Sequence, residues 1–164
     1  MQVREIMTGE VKSCRPETNL AQAATIMWEE DCGCVPVIDE EGRAIGMITD
    51  RDICMAVATK LRAAPDISVG EIMSGRVHAC APDDDVTQAL KIMGEEKLRR
   101  LPVLDGDGLL AGLLSFNDVV LHAKKGGGKK HVSHKEVMAT LKSLCEHRTV
   151  TPPPPEDEQA SPGN

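Results

Sequence analysis

The chain has 164 residues, 26 acidic against 19 basic side chains, and a formal net charge of −7. An acidic chain lacks the basic face that phosphate backbones need, and with Trp28 and Phe116 as its only aromatics it has no stacking platform for single strands, so nucleic acid is excluded as a partner. No apolar run approaches the roughly 20 residues of a membrane span, and the N-terminus lacks the charged and apolar regions of a signal peptide. Six cysteines, at 14, 32, 34, 54, 80 and 145, show no disulfide plan and fit a reducing cytoplasm.

Taken in chain order, Val11–Cys14 is a short strand candidate stopped by Pro16. A helix is predicted from about Asn19 to Asp31, opened by Asn19 with Gln22 as a capping pair, and Leu20, Ala23, Ala24 and Met27 share one face. Cys34–Ile38 is an apolar strand whose Pro36 implies an edge position or a local break. The acidic turn Asp39–Gly42 closes it, a third strand follows at Ala44–Ile48, and a second helix begins near Asp50. The stretch around Pro65 connects to a second run of the same kind.

That second run is a copy of the first. Val3-Arg4-Glu5-Ile6-Met7 returns as Val69-Gly70-Glu71-Ile72-Met73, and equivalent residues stay 66 positions apart through to Asp52 and Asp118. About twenty identities over roughly fifty positions, with no gap, are beyond compositional bias. The copy predicts a strand at Val77–Cys80, a helix from about Asp85 to Lys97 with Asp85 and Gln88 as its capping pair, strands at Arg100–Leu104 and Leu110–Leu114, and a helix from about Phe116. The order β-α-β-β-α thus occurs twice, an α/β (α+β) architecture of two like units around a pseudo-two-fold axis, with two related clefts.

The boundaries follow: repeat 1 at 1–58, a connection at 59–68, repeat 2 at 69–123, a Gly/Lys linker at 124–131, a C-terminal helix at 132–148 and a disordered acidic, proline-rich tail at 149–164. Ser133 with Glu136 caps the last helix, and Val137, Met138, Leu141, Leu144 and Cys145 form its apolar stripe, suited to packing on the module or across a dimer. Cys32-Gly33-Cys34 and His131-x-x-His134 lack the further ligands of a metal site.

Each copy resembles a CBS domain. Its marks are Ile-Met near the start, a strand ending at proline, a helix bearing alanine and methionine, Val/Leu-Pro-Val-x-Asp, and the closing Gly-x-x-Thr/Ser-x-x-Asp of Gly46–Asp52 and Gly112–Asp118. The resemblance covers about residues 1–123 and looks like a stand-alone CBS pair, a Bateman module. It implies two clefts between the repeats, frequent pairing of modules into homodimers, and binding of adenosine ligands such as AMP, ADP, ATP, S-adenosylmethionine or NAD, with Mg2+ able to accompany ATP. It further implies that Thr49 and Ser115 approach phosphate or ribose, that Asp52 and Asp118 take the ribose hydroxyls, and that backbone near Pro36-Val37 and Pro102-Val103 holds adenine. In the second repeat a basic residue before the strand, Arg100 and beside it Arg99, would reach ligand phosphate; the first repeat has Gly33 and Cys34 there.

The physical case stands beside this. One carboxylate can accept both hydroxyls of a ribose diol, and a helix start offers N–H groups to phosphate. The same Thr/Ser-x-x-Asp spacing is also an acidic capping box, so capping and binding both remain open. Gly46 and Gly112 would permit close approach of a ligand. Two readings follow: a regulatory module that senses adenosine nucleotides for an unidentified protein, its Asp118 cleft preferred, or a structural dimeric adaptor with unused clefts. No nucleophile–base pair, metal set or Walker-type loop supports an enzyme.

Overall fold

The computed structural model describes residues 1–126 and 131–146; the tail expected at 149–164 and residues 127–130 of the Gly/Lys linker lie outside them. The elements are α1 (Leu20–Glu29), β1 (Cys34–Ile38), β2 (Ala44–Thr49), α2 (Asp50–Lys60), α3 (Val86–Glu96), β3 (Arg100–Leu104), β4 (Leu110–Ser115), α4 (Phe116–His122) and α5 (His134–Cys145). β1 pairs antiparallel with β2, and β3 with β4, in two hairpins of matching register. Gly42 and Gly108 carry the hairpin turns at φ of 86° and 81°, a conformation other residues adopt only with strain.

The helices begin where the capping residues stand. Asn19 Oδ1 accepts from Gln22 N at 2.9 Å, while Asn19 N donates to Gln22 Oε1 at 3.2 Å. The equivalent start of α3 differs from expectation. Asp85 accepts from the backbone and hydroxyl of Thr87 rather than pairing with Gln88, and its other oxygen faces the N-terminal ammonium at 3.4 Å. α1 buries Leu20, Ala23 and Met27, and α3 buries Val86, Ala89, Leu90 and Met93. Each repeat thereby has its own apolar core.

The two leading strands expected at 11–14 and 77–80 are a correction. Each reduces to a single parallel bridge, Cys14 to Val37 and Cys80 to Val103. Cys14 N donates to Pro36 O and Ile38 N donates to Cys14 O, so the backbone of Pro36 faces this outer edge. Its missing N–H is needed neither there nor by β2, which explains a proline inside the strand.

The repeats exchange their leading segments. Val3 and Ile6, from the start of the chain, are buried in the core of the second repeat, whereas Ile67 and Val69 are buried in that of the first. Thr8 and Leu113 exchange two backbone bonds, Ser74 N donates to Met47 O, and the hairpin tips meet where Leu110 N donates to Gly42 O. Fully burying a valine contributes about 1.5–3 kcal/mol, so each exchanged segment is a substantial tie between the halves.

This exchange also corrects the reading of Gly46 and Gly112. A Cβ on Gly112 would lie 2.4 Å from Thr8 O, and one on Gly46 would lie 2.7 Å from Ser74 O and 2.9 Å from Met73 Sδ. The glycines admit the other repeat's leading chain, not a ligand.

The C-terminal helix runs over His134–Cys145, with Ser133 N donating to Glu136 Oε2 at 2.8 Å; residues 147 and 148, to which it was expected to extend, lie outside the described residues. It lies across α3 and α4: Val137 joins the second core with Leu141 and Leu144, and Ser143 Oγ donates to Gly94 O at 2.7 Å. Met138 and Cys145 stay exposed.

All six cysteines are free. Burial pushes the thiols of Cys14 and Cys34 up to about 11 and that of Cys80 to about 12, whereas Cys54 and Cys145 are exposed. Because the thiolate is the nucleophile, iodoacetamide at pH 7 should label Cys54 and Cys145 first and reach Cys14, Cys34 and Cys80 only after denaturation. Peptide mass mapping that finds Cys14 or Cys80 modified at the rate of Cys54 would contradict this packing.

Candidate functional site

The crossing of leading segments leaves a cleft of ≈ 270 Å³ bounded by both halves. From the second repeat come Leu113, Ser115, Asn117 and Asp118 at the β4–α4 junction, together with Arg100 at the start of β3. Thr8, paired with Leu113, lies on that same side; Val11, Lys12, Cys34 and Pro36 form the opposite wall, and the carboxylates of Glu10, Glu30 and Asp31 also line the cleft. Since this segment meets the sheet only at Cys14, the backbone N–H and C=O groups of Val11 and Lys12 have no hydrogen-bond partner among the described residues. A planar base with donor and acceptor edges could use them.

Asp118 Oδ2 accepts from Ser115 N at 2.8 Å and from Ser115 Oγ at 2.6 Å, and Asp118 N donates back to Ser115 Oγ at 3.2 Å. This is the acidic capping box, realised in full. It uses one carboxylate oxygen; Oδ1 has no partner among the described residues, so capping and acceptance of a hydroxyl are compatible at Asp118. Thr49 and Asp52 repeat the arrangement at the start of α2, with bonds of 3.0, 2.6 and 3.2 Å.

Arg100 is half-buried and central. Besides lining the cleft, it stands close enough to Cys34 to oppose the upward shift that burial imposes on that thiol. Its Nη2 and the Oδ2 of Asp50 lie 3.6 and 3.0 Å from the point a Gly33 Cβ would occupy. Arg99 is exposed and holds α4 through its carbonyl, which accepts from Phe116 N at 2.8 Å.

The structure therefore gathers Arg100, Ser115, Asp118 and Pro36 around one cleft. The side chains of Val37 and Val103 are wholly buried in the two cores, and Pro102 is buried with its carbonyl accepting from Cys80 N. Thr8, Lys12 and Asn117 line the cleft without having been singled out from sequence. Lys12 carried no signal because its role depends on the other repeat's α4, which the linear pattern does not bring near. On the opposite side of the pseudo-axis His78 takes the place of Lys12, and its Nε2 sits 3.4 Å from the Glu96 carboxylate.

The CBS domain family model matches residues 3–59 and 69–125, and the chain belongs to that family. An uncharacterised 17.7 kDa protein of Acidianus ambivalens is 35% identical over 117 residues, 71% of this chain and 70% of its own length. The solved structure of CBSX2, a CBS-pair protein of Arabidopsis thaliana, in complex with AMP is 26% identical with a TM-score of 0.64; the match covers 73% of this chain and 93% of that one. A homoserine O-acetyltransferase of Methanohalophilus mahii is 29% identical over 76% of this chain but only 25% of its own length, so what the two share is the CBS pair. No helix among the described residues is long and apolar enough to cross a membrane.

Proposed function

We propose that this CBS pair is a non-enzymatic, cytoplasmic regulatory module that binds an adenosine-containing nucleotide in the cleft bearing Asp118. The observation that carries the reading is the convergence of Asp118, Ser115 and Arg100 on one hollow whose opposite wall offers unpaired backbone. Its volume of ≈ 270 Å³ lies just below the roughly 300–1,000 Å³ of small-molecule sites. Asp118 Oδ1 takes the ribose diol, Ser115 and Arg100 face phosphate, and Val11 and Lys12 present backbone to adenine. The AMP complex of the Arabidopsis relative supports this class of ligand. ATP would bring Mg2+ with its extra phosphates. The module acts by having different affinities for the ligand in two arrangements of its halves or of two subunits, which a partner protein reads. A homodimer is supported by exposed Met55 and Leu121, equivalent positions on α2 and α4.

The complete capping boxes of Thr49–Asp52 and Ser115–Asp118 favour a second reading, a structural dimeric adaptor whose carboxylates serve only the helices. Thermal unfolding with millimolar AMP, ADP, ATP, S-adenosylmethionine and NAD separates the two. A ligand at a hundred times its Kd should stabilise wild type by about 2.7 kcal/mol. Asp118→Ala should abolish that gain and Asp52→Ala should retain most of it, each costing about 1 kcal/mol of capping. No gain with any ligand, and equal destabilisation by both changes, would leave the adaptor standing.

A further inference from the structure

Around Arg100 the Asp118 cleft is acidic. Besides Asp118, the carboxylates of Glu10, Glu30 and Asp31 line it, against the two cations Lys12 and Arg100. Glu10, Glu30 and Asp31 are exposed, and none of them forms an ion pair among the described residues. Two of them are tied to the guanidinium by the chain itself. Arg100 Nη2 lies 3.6 Å from the point a Gly33 Cβ would occupy, and Glu30 and Asp31 lead from the end of α1 into Gly33. Asp50 Oδ2 closes the same corner, 3.0 Å from that point.

Local structure argues against an acid at position 31. Asp31 ends α1 at φ 47°, a conformation glycine takes more readily, and a carboxylate at a helix C-terminus opposes the dipole. The second repeat shows the favourable choice of charge. Sixty-six positions on, Lys97 holds the same left-handed place at the end of α3, φ 54°, and its ammonium complements that helix. Glu10 is likewise exchanged for Arg76. Acidity therefore belongs to this one cleft and not to the repeat as such.

We propose that Glu10, Glu30 and Asp31 set the phosphate count of the ligand, so that the Asp118 cleft accepts adenosine monophosphate and rejects the di- and triphosphates. The inference rests on the reading of that cleft as a nucleotide site and adds its selectivity. The first phosphate meets Arg100. Further phosphates extend past the guanidinium to the end of α1, where Glu30, Asp31 and the carbonyl end of the helix repel them. Lys12 is the one other cation lining the cleft, and a single ammonium does not neutralise two added phosphates. A magnesium ion shared between carboxylates and polyphosphate would invert the preference. Among the described residues, however, no three acidic, imidazole or thiol side chains are arranged to hold a metal, so the carboxylates act as a repelling field.

Calorimetric titration of the full-length chain with adenosine, AMP, ADP and ATP, each with and without excess magnesium, tests this. Wild type should bind ATP weaker than AMP by on the order of tenfold, with ADP between them. Glu10→Gln, Glu30→Gln and Asp31→Asn together should bring ATP to within about twofold of AMP. Asp31→Lys alone, which copies the charge found at Lys97, should move the ratio the same way. A role in folding shifts all ligands together, whereas selectivity shifts ATP most and adenosine least. The proposal is overturned if wild type binds AMP and ATP equally, or if the ratio survives both variants. It is equally overturned if the preference persists in Asp118→Ala, which assigns it to another site. Magnesium making ATP the tighter ligand, with that gain lost in the triple variant, would turn the carboxylates into a cation site and overturn it too. Binding of no ligand removes the nucleotide reading and this inference together, whereas equal binding of AMP and ATP removes the selectivity alone.

Discussion

Gly112→Ala is expected to lower the unfolding free energy by about 3 kcal/mol, with Gly46→Ala costing about 2 kcal/mol. At Gly112 the new methyl would meet a backbone oxygen, Thr8 O, at 2.4 Å, and backbone cannot rotate aside. Relief requires Thr8 to leave β4, which breaks both of its bonds to Leu113, at 3.0 and 2.9 Å. At Gly46 the contacts are Ser74 O at 2.7 Å and the Met73 thioether, whose flexible end can yield, and the Ser74 backbone makes one bond rather than two. Urea unfolding with a constant slope measures both losses. The alternative role, glycine making room for a ligand, predicts weakened nucleotide binding at unchanged stability. That outcome would sink the segment-exchange account of these positions.

What the sequence reveals is local or periodic. The helix starts at Asn19, Thr49, Ser115 and Ser133 are legible because each cap is set by residues three apart, and all four appear as reciprocal capping boxes. The hairpins are legible because glycine must take the positive φ at 42 and 108. The exchange of leading segments is not. Val3 and Val69 look alike, and nothing in either one says which of two similar cores it enters. The strands expected at 11–14 and 77–80 failed for a related reason: β propensity does not supply a neighbour, and only Cys14 and Cys80 find one. At the candidate site, Ser115, Asp118 and Arg100 were legible because doubling and its breakdown mark them. Thr8 and Lys12 were not, because they reach the cleft only through the crossing.

Arg100→Ala is expected to weaken AMP binding about 30-fold while leaving adenosine within about twofold, the difference of roughly 2 kcal/mol being a charge-assisted bond to phosphate. Arg100→Lys should recover only part of it, since a single ammonium cannot offer the paired donors of a guanidinium. The competitor for this side chain is Asp50. Its Oδ2 and Arg100 Nη2 flank Gly33, no more than about 6–7 Å apart, and at that distance beside solvent two unit charges interact by roughly 1 kcal/mol. A phosphate bonded directly to the guanidinium gains more than that, so ligand draws Arg100 into the cleft. It follows that Asp50→Asn should tighten AMP by a few-fold, releasing the arginine beforehand, with adenosine again unaffected. Calorimetric titration of wild type and the three variants with adenosine and AMP measures these terms. Equal weakening of both ligands by Arg100→Ala would assign the residue to the fold of the cleft wall. Tightening of adenosine by Asp50→Asn would place the effect of that carboxylate on the cleft as a whole and remove phosphate from the account of Arg100.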